Sequence, residues 1–374
     1  MQKHQKYFAI IRFAIGTEER MPDDMENIDW QDFFDFCCRQ SIAGLVFGGL
    51  ERSGTRVPQQ VLFKWLGIVN TIKNKNLSVD KKAVLVTKFF RDRGYRSCIL
   101  KGQANAMMYP KPELRSPGDI DIWVEGKTED IIRMVQREAP SGHYSLHHVT
   151  MPVFKDVSAE VHYRPIFLDN WLLDKRFKSY LDGIADRQFA HSICLGENDA
   201  LVGSLTDDFN ALYQLLHMWH HLFSTRNNLK QLIDYYYLLK RGIGEEARKE
   251  IVALFKDLGV MKYARGIMWI QQEVFGLEAQ FLIVEPDEKI GRVLLTETLS
   301  YGLKKKHTKR NVIIGRIADN THLFRYFPSS VVINPVYLVW HQWWKWKMKR
   351  KLNKSANTSY GKVLDELQNL NTDM

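Results

Sequence analysis

The sequence predicts an α+β fold in which a small mixed sheet is flanked by helices on both sides. Apolar residues follow helical spacing up to residue 94, change to short β-like runs, and return to helical spacing later in the chain. With 374 residues and 45% hydrophobic content, the chain can form two or three compact units with real cores. We divide it into a helical region (1–94), an α+β core (95–185), a second helical region (186–300) and a basic, tryptophan-rich C-terminal segment (301–374).

The first helical region contains two long stretches with apolar residues at helical spacing. The stretch IDWQDFFDFCCRQSIAGLVFGGLERSG has Asp29 or Asn27 as its N-cap, and Gly54 stops it. The second stretch, PQQVLFKWLGIVNTIKNKNLSVDKKAVLVTKFFRDRG, ends at Gly94. Both stretches therefore predict helices that precede the sheet.

The central region alternates between strand-like and helical patterns. YRSCIL and DIDIWV predict strands, and GKTEDIIRMVQREAP predicts an amphipathic helix. HHVTMPVF and VSAEVHYR, separated by Lys155 and Asp156, predict a hairpin. Helical patterns return after Pro165 in LTDDFNALYQLLHMWHHLF, NLKQLIDYYYLLKRG and EEARKEIVALFKDLG, of which the last two end at a glycine.

Positive charge is concentrated near the C-terminus. Between Tyr301 and Lys354 there are thirteen Lys and Arg residues and a single acid, Asp319, so this segment carries a net charge of +12. The net charge of the whole chain is +10. The rest of the chain therefore sums to −2, which argues against a protein that contacts nucleic acid over its whole surface.

The chain also lacks the signals of a secreted or membrane-spanning protein. It has no run of about 18 uninterrupted apolar residues, which a spanning helix needs. Four cysteines without metal-ligand spacing indicate reduced thiols: Cys37, Cys38, Cys98 and Cys194. We therefore expect a cytoplasmic protein.

The stretch DIDIWV places two acids at alternate positions of a predicted strand. Side chains two residues apart lie on the same face, about 6.6–6.8 Å from each other. Asp119, Asp121 and Trp123 therefore share one face, opposite the apolar one. The acids are either solvated or neutralised by a divalent cation such as Mg²⁺, because two close carboxylates repel each other.

The residues around the acidic pair favour neutralisation by a divalent cation over solvation. Lys101 and Gly102 follow the strand YRSCIL, and a glycine there lets the backbone and the next helix approach a phosphate. In VSAEVHYR, Glu160 and His162 share a face. If this strand lies beside DIDIWV, Glu160 completes a cluster of three carboxylates.

These stretches resemble a known family. LKGQANAMMYPKPELRSPGDIDIWV, followed by AEVHYR, is similar to the bacterial nucleotidyltransferase family of the DNA polymerase β superfamily, in its largely uncharacterised group with LKG…R…DIDI…ELH motifs. The resemblance is strong over residues 95–165. It implies a minimal nucleotidyltransferase core in which Asp119 and Asp121 bind metal, Glu160 is the third carboxylate and Gly102 lies in the phosphate-binding turn.

The chain departs from the wider superfamily at two points. Gln103 follows the glycine where Ser or Gly is usual, and seventeen positions separate Gly102 from Asp119. Lys101 or Arg115 could bind the phosphate instead. The alternative for Lys101 is a solvated side chain at the end of a strand, and the alternative for Arg115 is a charged side chain on a surface loop. His162 could orient a carboxylate, contact the nucleotide or simply line the wall of the site.

Two further features carry weaker signals. His217, His220 and His221 invite a zinc interpretation, but without a nearby third ligand or an H-E-x-x-H motif, helix packing is favoured. Asp234, an acid in an apolar helical stretch, is predicted to pair with one of these histidines or with Arg226 in a structural role.

The stretch LVWHQWWKWKMKRKLNK interleaves tryptophans with lysines and arginine. Trp340, Trp343 and Trp344 share a face if the segment is helical. The alternatives are a helix whose tryptophans cap the core, a peripheral contact with a membrane surface, and stacking on RNA bases.

The function predicted from the sequence is a Mg²⁺-dependent transfer of a nucleoside monophosphate from an NTP to a hydroxyl-bearing acceptor, with two Mg²⁺ ions and release of pyrophosphate. The alternatives are a toxin-like or regulatory enzyme that modifies tRNA or protein, and a non-catalytic binding module of the same fold.

Overall fold

The computed structural model describes residues 2–23, 25, 28–168, 170–196, 199–303, 315 and 318–353. Asn27 and, in the C-terminal segment, residues 304–314, 316–317 and 354–374 lie outside the described residues. In chain order the elements are α1 (Gln2–Ile15), α2 (Trp30–Arg39), α3 (Ala43–Ser53), α4 (Gln59–Arg91), β1 (Ser97–Ile99), α5 (Gln103–Ala106), β2 (Ile120–Val124), α6 (Thr128–Glu138), β3 (His148–Met151), β4 (Ala159–His162), α7 (Trp171–Ala190), β5 (Ser192–Leu195), β6 (Ala200–Gly203), α8 (Asp207–Leu222), α9 (Leu229–Lys240), α10 (Glu245–Asp257), α11 (Met261–Glu273), α12 (Glu288–Leu299) and α13 (Pro328–Asn353).

The α+β class predicted from the sequence is confirmed. The chain forms two compact units that interleave along the sequence: unit 1 comprises residues 1–77, 105–117 and 207–308, and unit 2 comprises 78–104, 118–206 and 309–374. The four regions predicted from the sequence follow the chain consecutively, whereas each unit is assembled from separate segments.

Unit 1 is helical. In it α1 packs on α3, α8 on α9, and α11 on α12. The first predicted helical stretch forms two helices, α2 and α3, because the chain turns at Ser41, whose φ is +58°. Asp29 caps α2 as predicted, since its carboxylate accepts a hydrogen bond from Asp32 N at 2.9 Å.

Unit 2 contains the mixed sheet, with strand order β1-β2-β4-β3. β2 pairs antiparallel with β1 and parallel with β4, and β3 pairs antiparallel with β4. The predicted hairpin is therefore present, but its connection spans residues 152–158 and is longer than the two residues expected.

The apolar face of the sheet forms the core of unit 2. Ile120, Ile122 and Val124 of β2 and Ala159 and Val161 of β4 belong to one buried cluster. This arrangement follows from the period of two in both strands, and it leaves the alternate side chains on the opposite face.

A second hairpin, β5–β6, lies in the region from residue 186 onward, where the sequence pattern predicted helices. SICL and ALVG are short runs with weak alternation, so periodicity alone does not identify them. Gly196 and Asp199, which lie between its strands, both adopt positive φ. Within the described residues, no helix is both long and apolar enough to cross a membrane.

Candidate active site

Two neighbouring parallel strands bring the predicted acids together in unit 2. Asp121 lies directly opposite Glu160 in the register of β2 and β4. Asp119 precedes β2 by one residue and is half-buried, and its negative charge helps raise the pKa of Glu160. Asp121 and Glu160 therefore lie on the polar face of the sheet, and Asp119 lies close enough to act on Glu160 electrostatically.

Asp121 is the most buried member of this group, with only 1% of its side chain exposed. His162 Nε2 lies 3.0 Å from its Oδ1, and Lys101 Nζ lies 3.3 Å from its Oδ2. Burial alone would raise the pKa of Asp121, but the charge of Lys101 and the hydrogen bond with His162 outweigh burial and hold that pKa well below its usual range. Asp121 is therefore ionised and flanked by nitrogen groups on both oxygens.

Glu160 differs from Asp121 in its environment. Burial, followed by the negative charges of Asp121 and Asp119, raises the pKa of Glu160 to about 7. Its carboxylate is 26% exposed, and its Oε2 lies 3.8 Å from His162 Nε2. Two adjacent carboxylates with such different affinities for a proton are typical of sites that bind cations or transfer protons.

Two histidines that received no role in the sequence analysis also lie here. His148 is directly opposite His162 in the β3–β4 ladder, and its Nδ1 lies 3.7 Å from Glu160 Oε2. One ligand atom from each of His147, His148 and His162 lies within 4.8 Å of the others. Burial, reinforced by the charge of His162, lowers the pKa of His148 to about 3, so its ring is neutral at physiological pH. The two adjacent histidines at the start of HHVTM are the sequence feature that could have identified them as site residues.

Gly102 occupies the turn after β1 with a φ of +63°, a conformation that favours glycine. A Cβ at this position would lie 3.4 Å from the backbone oxygen of Asp119, so the turn runs close to the start of β2. Gln103 is buried, and its side-chain amide donates a hydrogen bond to Asp80. The side chain of Gln103 is thus committed to the protein, and Gly102, which is itself buried, lets the turn run close to the start of β2.

Arg115 belongs to unit 1, where it forms a buried ion pair with Asp234. Arg115 Nε lies 2.7 Å from Asp234 Oδ1 and Nη2 lies 2.7 Å from Oδ2, while Tyr109 Oη donates to Oδ1 at 2.6 Å. The predicted partners of Asp234 were wrong, because Arg226 instead pairs with Glu297 at 2.5 Å. This geometry gives no support to the phosphate role predicted for Arg115.

The histidines of α8 do not gather a metal-ligand set among the described residues. His217 Nε2 and His221 Nε2 lie 3.2 Å apart, and the His217 ring lies 5.8 Å from that of Tyr213. The groups of three or more candidate ligands found in the described part of the chain do not include them. The packing interpretation is therefore favoured over zinc.

A mixed sheet with one acid just before a strand, a second within it, a third on the parallel neighbour and a glycine turn before them is the arrangement that the sequence pattern predicts for the nucleotidyltransferase class. A family model described as "Uncharacterised nucleotidyltransferase" matches residues 26–276, and the chain belongs to this family. A search among curated proteins found no match. The solved structure of an antigenic nucleotidyltransferase-like protein from Paracoccidioides brasiliensis is similar at 12% sequence identity, covering 58% of this chain and 97% of that chain with a TM-score of 0.37.

Proposed function

We propose that unit 2 transfers a nucleoside monophosphate from an NTP to a hydroxyl-bearing acceptor and releases pyrophosphate, with Mg²⁺ as the cofactor. The observation that carries this proposal is the pairing of Asp121 with Glu160 across parallel strands, with Asp119 two residues before Asp121. A buried strand that carries such acids is unfavourable unless a cation or a specific partner neutralises them.

The donor set fits a divalent cation. Asp121, Glu160 and His162 each offer one ligand atom, and these atoms lie within 4.8 Å of one another. Asp119 and Asp121 would hold up to two Mg²⁺ ions, with Glu160 as a further oxygen ligand. When bound, the cations would neutralise the charge that develops on the triphosphate.

The residues of the chain have separate tasks in this reaction. The acceptor hydroxyl oxygen forms a bond to the α-phosphorus, the bond from that phosphorus to the β-bridging oxygen breaks, and pyrophosphate leaves. Glu160, the more exposed acid, would position the hydroxyl or accept its proton. Lys101 and the backbone at Gly102 would hold phosphate oxygens.

The first test is a thermal-shift panel of the four NTPs, each with and without Mg²⁺. A ligand present at 100 times its dissociation constant stabilises the native state by about 2.7 kcal/mol, which is a visible shift. We expect Mg²⁺-dependent stabilisation by at least one NTP in the wild type and none in the Asp119→Ala/Asp121→Ala variant. The matched control is Asp182→Asn, a 65% exposed acid of the same unit.

The responding NTP, labelled on its α-phosphate, then identifies the acceptor class among tRNA, protein and small hydroxyl compounds. Absence of a shift with every NTP would contradict the proposal and favour a non-catalytic binding module. Labelling of tRNA or protein would identify a regulatory or toxin-like enzyme.

A further inference from the structure

The surroundings of His162 are unusual for a wall histidine, because both ring nitrogens face acceptors. Nδ1 lies 3.3 Å from the backbone oxygen of Arg164, and Nε2 lies 3.0 Å from Asp121 Oδ1. An imidazole whose Nδ1 donates its N–H to the Arg164 oxygen can present the lone pair of Nε2 to a cation that is also bound by Asp121.

The two ring nitrogens of His162 are placed as they are in many metal-ligating histidines. Metal-ligating histidines commonly donate the second ring N–H to a backbone carbonyl, as Nδ1 of His162 is placed to do. Two ligands of a tetrahedral ion, each about 2.1 Å from the metal, are about 3.4 Å apart. His162 Nε2 lies 3.0 Å from Asp121 Oδ1 and 3.8 Å from Glu160 Oε2, on either side of this value.

The neighbouring donors extend the set. Glu160 Oε2 lies 3.8 Å from His162 Nε2, and His148 Nδ1 lies 3.7 Å from Glu160 Oε2. Lys101 is on the other oxygen of Asp121, so it leaves Oδ1 to this group. Two carboxylate oxygens and one imidazole nitrogen, from Asp121, Glu160 and His162, therefore lie within 4.8 Å of one another, and His148 borders this group at Glu160.

We propose that this position binds a transition-metal ion of the Zn²⁺ or Co²⁺ type in preference to Mg²⁺, with His162 as the selecting ligand. Imidazole nitrogen favours such ions, whereas Mg²⁺ prefers oxygen ligands and retained water. The inference deepens the proposed function, since Asp121 and Glu160 belong to both. Mg²⁺ would accompany the triphosphate at Asp119 and Asp121, and the transition metal would occupy the imidazole side.

The test is Co²⁺ binding to the full chain without a polyhistidine tag, followed by visible absorption and by calorimetry. We expect Co²⁺ to bind with an absorption band that Zn²⁺ abolishes and an equal concentration of Mg²⁺ does not. His162→Gln is expected to weaken Co²⁺ binding at least ~10-fold, the lower limit for loss of even an outer partner of a metal site. The matched control is His191→Gln, because His191 Nδ1 also lies beside a backbone oxygen, that of Ser204 at 3.0 Å, outside the cluster.

The outcomes separate the two proposals. Displacement of Co²⁺ by equal Mg²⁺, or unchanged binding in His162→Gln, would overturn this inference while NTP-dependent stabilisation could still support the nucleotidyltransferase. Co²⁺ binding that needs His162 in a protein without NTP binding would support the metal site and count against the transfer reaction.

A second inference concerns the surface of α13 and rests on observations that are independent of the metal site. Five apolar side chains at spacings of four and three residues form an exposed stripe, each between 50% and 65% exposed: Val332, Val336, Val339, Trp343 and Trp346. The opposite side of the helix is attached to unit 2, because the Trp340 ring stacks on Phe167 at 5.5 Å and Met348 is buried in the core. The tryptophans are therefore divided between the core and this stripe.

Cations border the stripe. Lys347 Nζ lies 5.2 Å from the ring centre of Trp343, and Arg350 Cζ lies 4.4 Å from that of Trp346. The helix carries five basic residues and no acid, so a second copy of it would offer no opposite charge. Tryptophan beside lysine and arginine matches the headgroup region of an anionic membrane.

The geometry points to the stripe as a contact with anionic lipid surfaces. We expect co-sedimentation with vesicles of phosphatidylcholine and phosphatidylserine, loss of binding without phosphatidylserine, and a decrease of at least tenfold in Trp343→Ala/Trp346→Ala. Leu201→Ala, which removes a 63% exposed side chain elsewhere in unit 2, is the control. No vesicle binding, stripe-dependent dimers by light scattering, or preference for RNA over vesicles would each overturn this assignment.

Discussion

Replacing Arg115 by methionine is expected to lower the free energy of unfolding by about 3–5 kcal/mol, because it leaves the buried carboxylate of Asp234 without its charged partner. Both side chains of the pair are less than a tenth exposed. Burial opposes ionisation of Asp234, and the charge of Arg115 outweighs it to hold the pKa of that carboxyl low. Removal of the guanidinium therefore exposes the protein to the full desolvation penalty of the acid.

Urea unfolding of matched variants measures this effect. Arg241 and Asp207, also in unit 1, are separated by the same 2.7 Å, but their side chains are 54% and 37% exposed. Arg241→Met should therefore cost no more than about 1 kcal/mol. Asp234→Asn combined with Arg115→Met should recover part of the loss, since it removes the unpaired charge.

Equal losses in Arg115→Met and Arg241→Met would contradict the structural role. A stable Arg115→Met variant that no longer binds NTP would instead support the phosphate role predicted from the sequence. The experiment thus decides between the two interpretations of one arginine.

Local periodicity explains why the sequence predicted the strands of the site. The alternation in DIDIWV and VSAEVHYR fixes which side chains share a face, and the structure confirms that Ile120 and Val161 are buried in the core. The register of Asp121 and Glu160 required the further assumption that the two strands are neighbours. Pattern alone does not supply that assumption, because it depends on contacts between distant segments.

Contacts between residues far apart in sequence explain why the partner of Asp234 and the position of His148 were not predicted. Tyr109, Arg115 and Asp234 meet across more than a hundred positions of sequence, and no local rule selects Arg115 over Arg226 for Asp234. The same reasoning applies to His148, whose place beside His162 depends on the register of β3 with β4. Polar residues in buried networks are therefore where sequence reasoning is weakest.

Asp121→Asn is expected to reduce nucleotide transfer by about a thousandfold or more while the fold is retained. Asparagine keeps the shape of the side chain but removes the charge that faces Lys101 and the proposed cation. Metal coordination supplies several kcal/mol of transition-state stabilisation, and each 1.36 kcal/mol lost lowers the rate about tenfold. The expected decrease follows if Asp121 holds the cation, because no other carboxylate of the cluster is as fully buried.

Pyrophosphate release and α-phosphate labelling of the acceptor measure the rate, and thermal unfolding measures the fold. Asp156→Asn is the control in unit 2, since its carboxylate is 55% exposed and pairs with Lys82 at 2.5 Å. The control should keep wild-type turnover. If Asp121→Asn retained the wild-type rate of nucleotide transfer, the acidic cluster would not be the catalytic centre. If the wild type showed no transfer and Asp121→Asn were more stable than the wild type, the acids would serve binding alone. Stability and turnover measured on the same two variants therefore separate an enzyme from a binding module of the same fold.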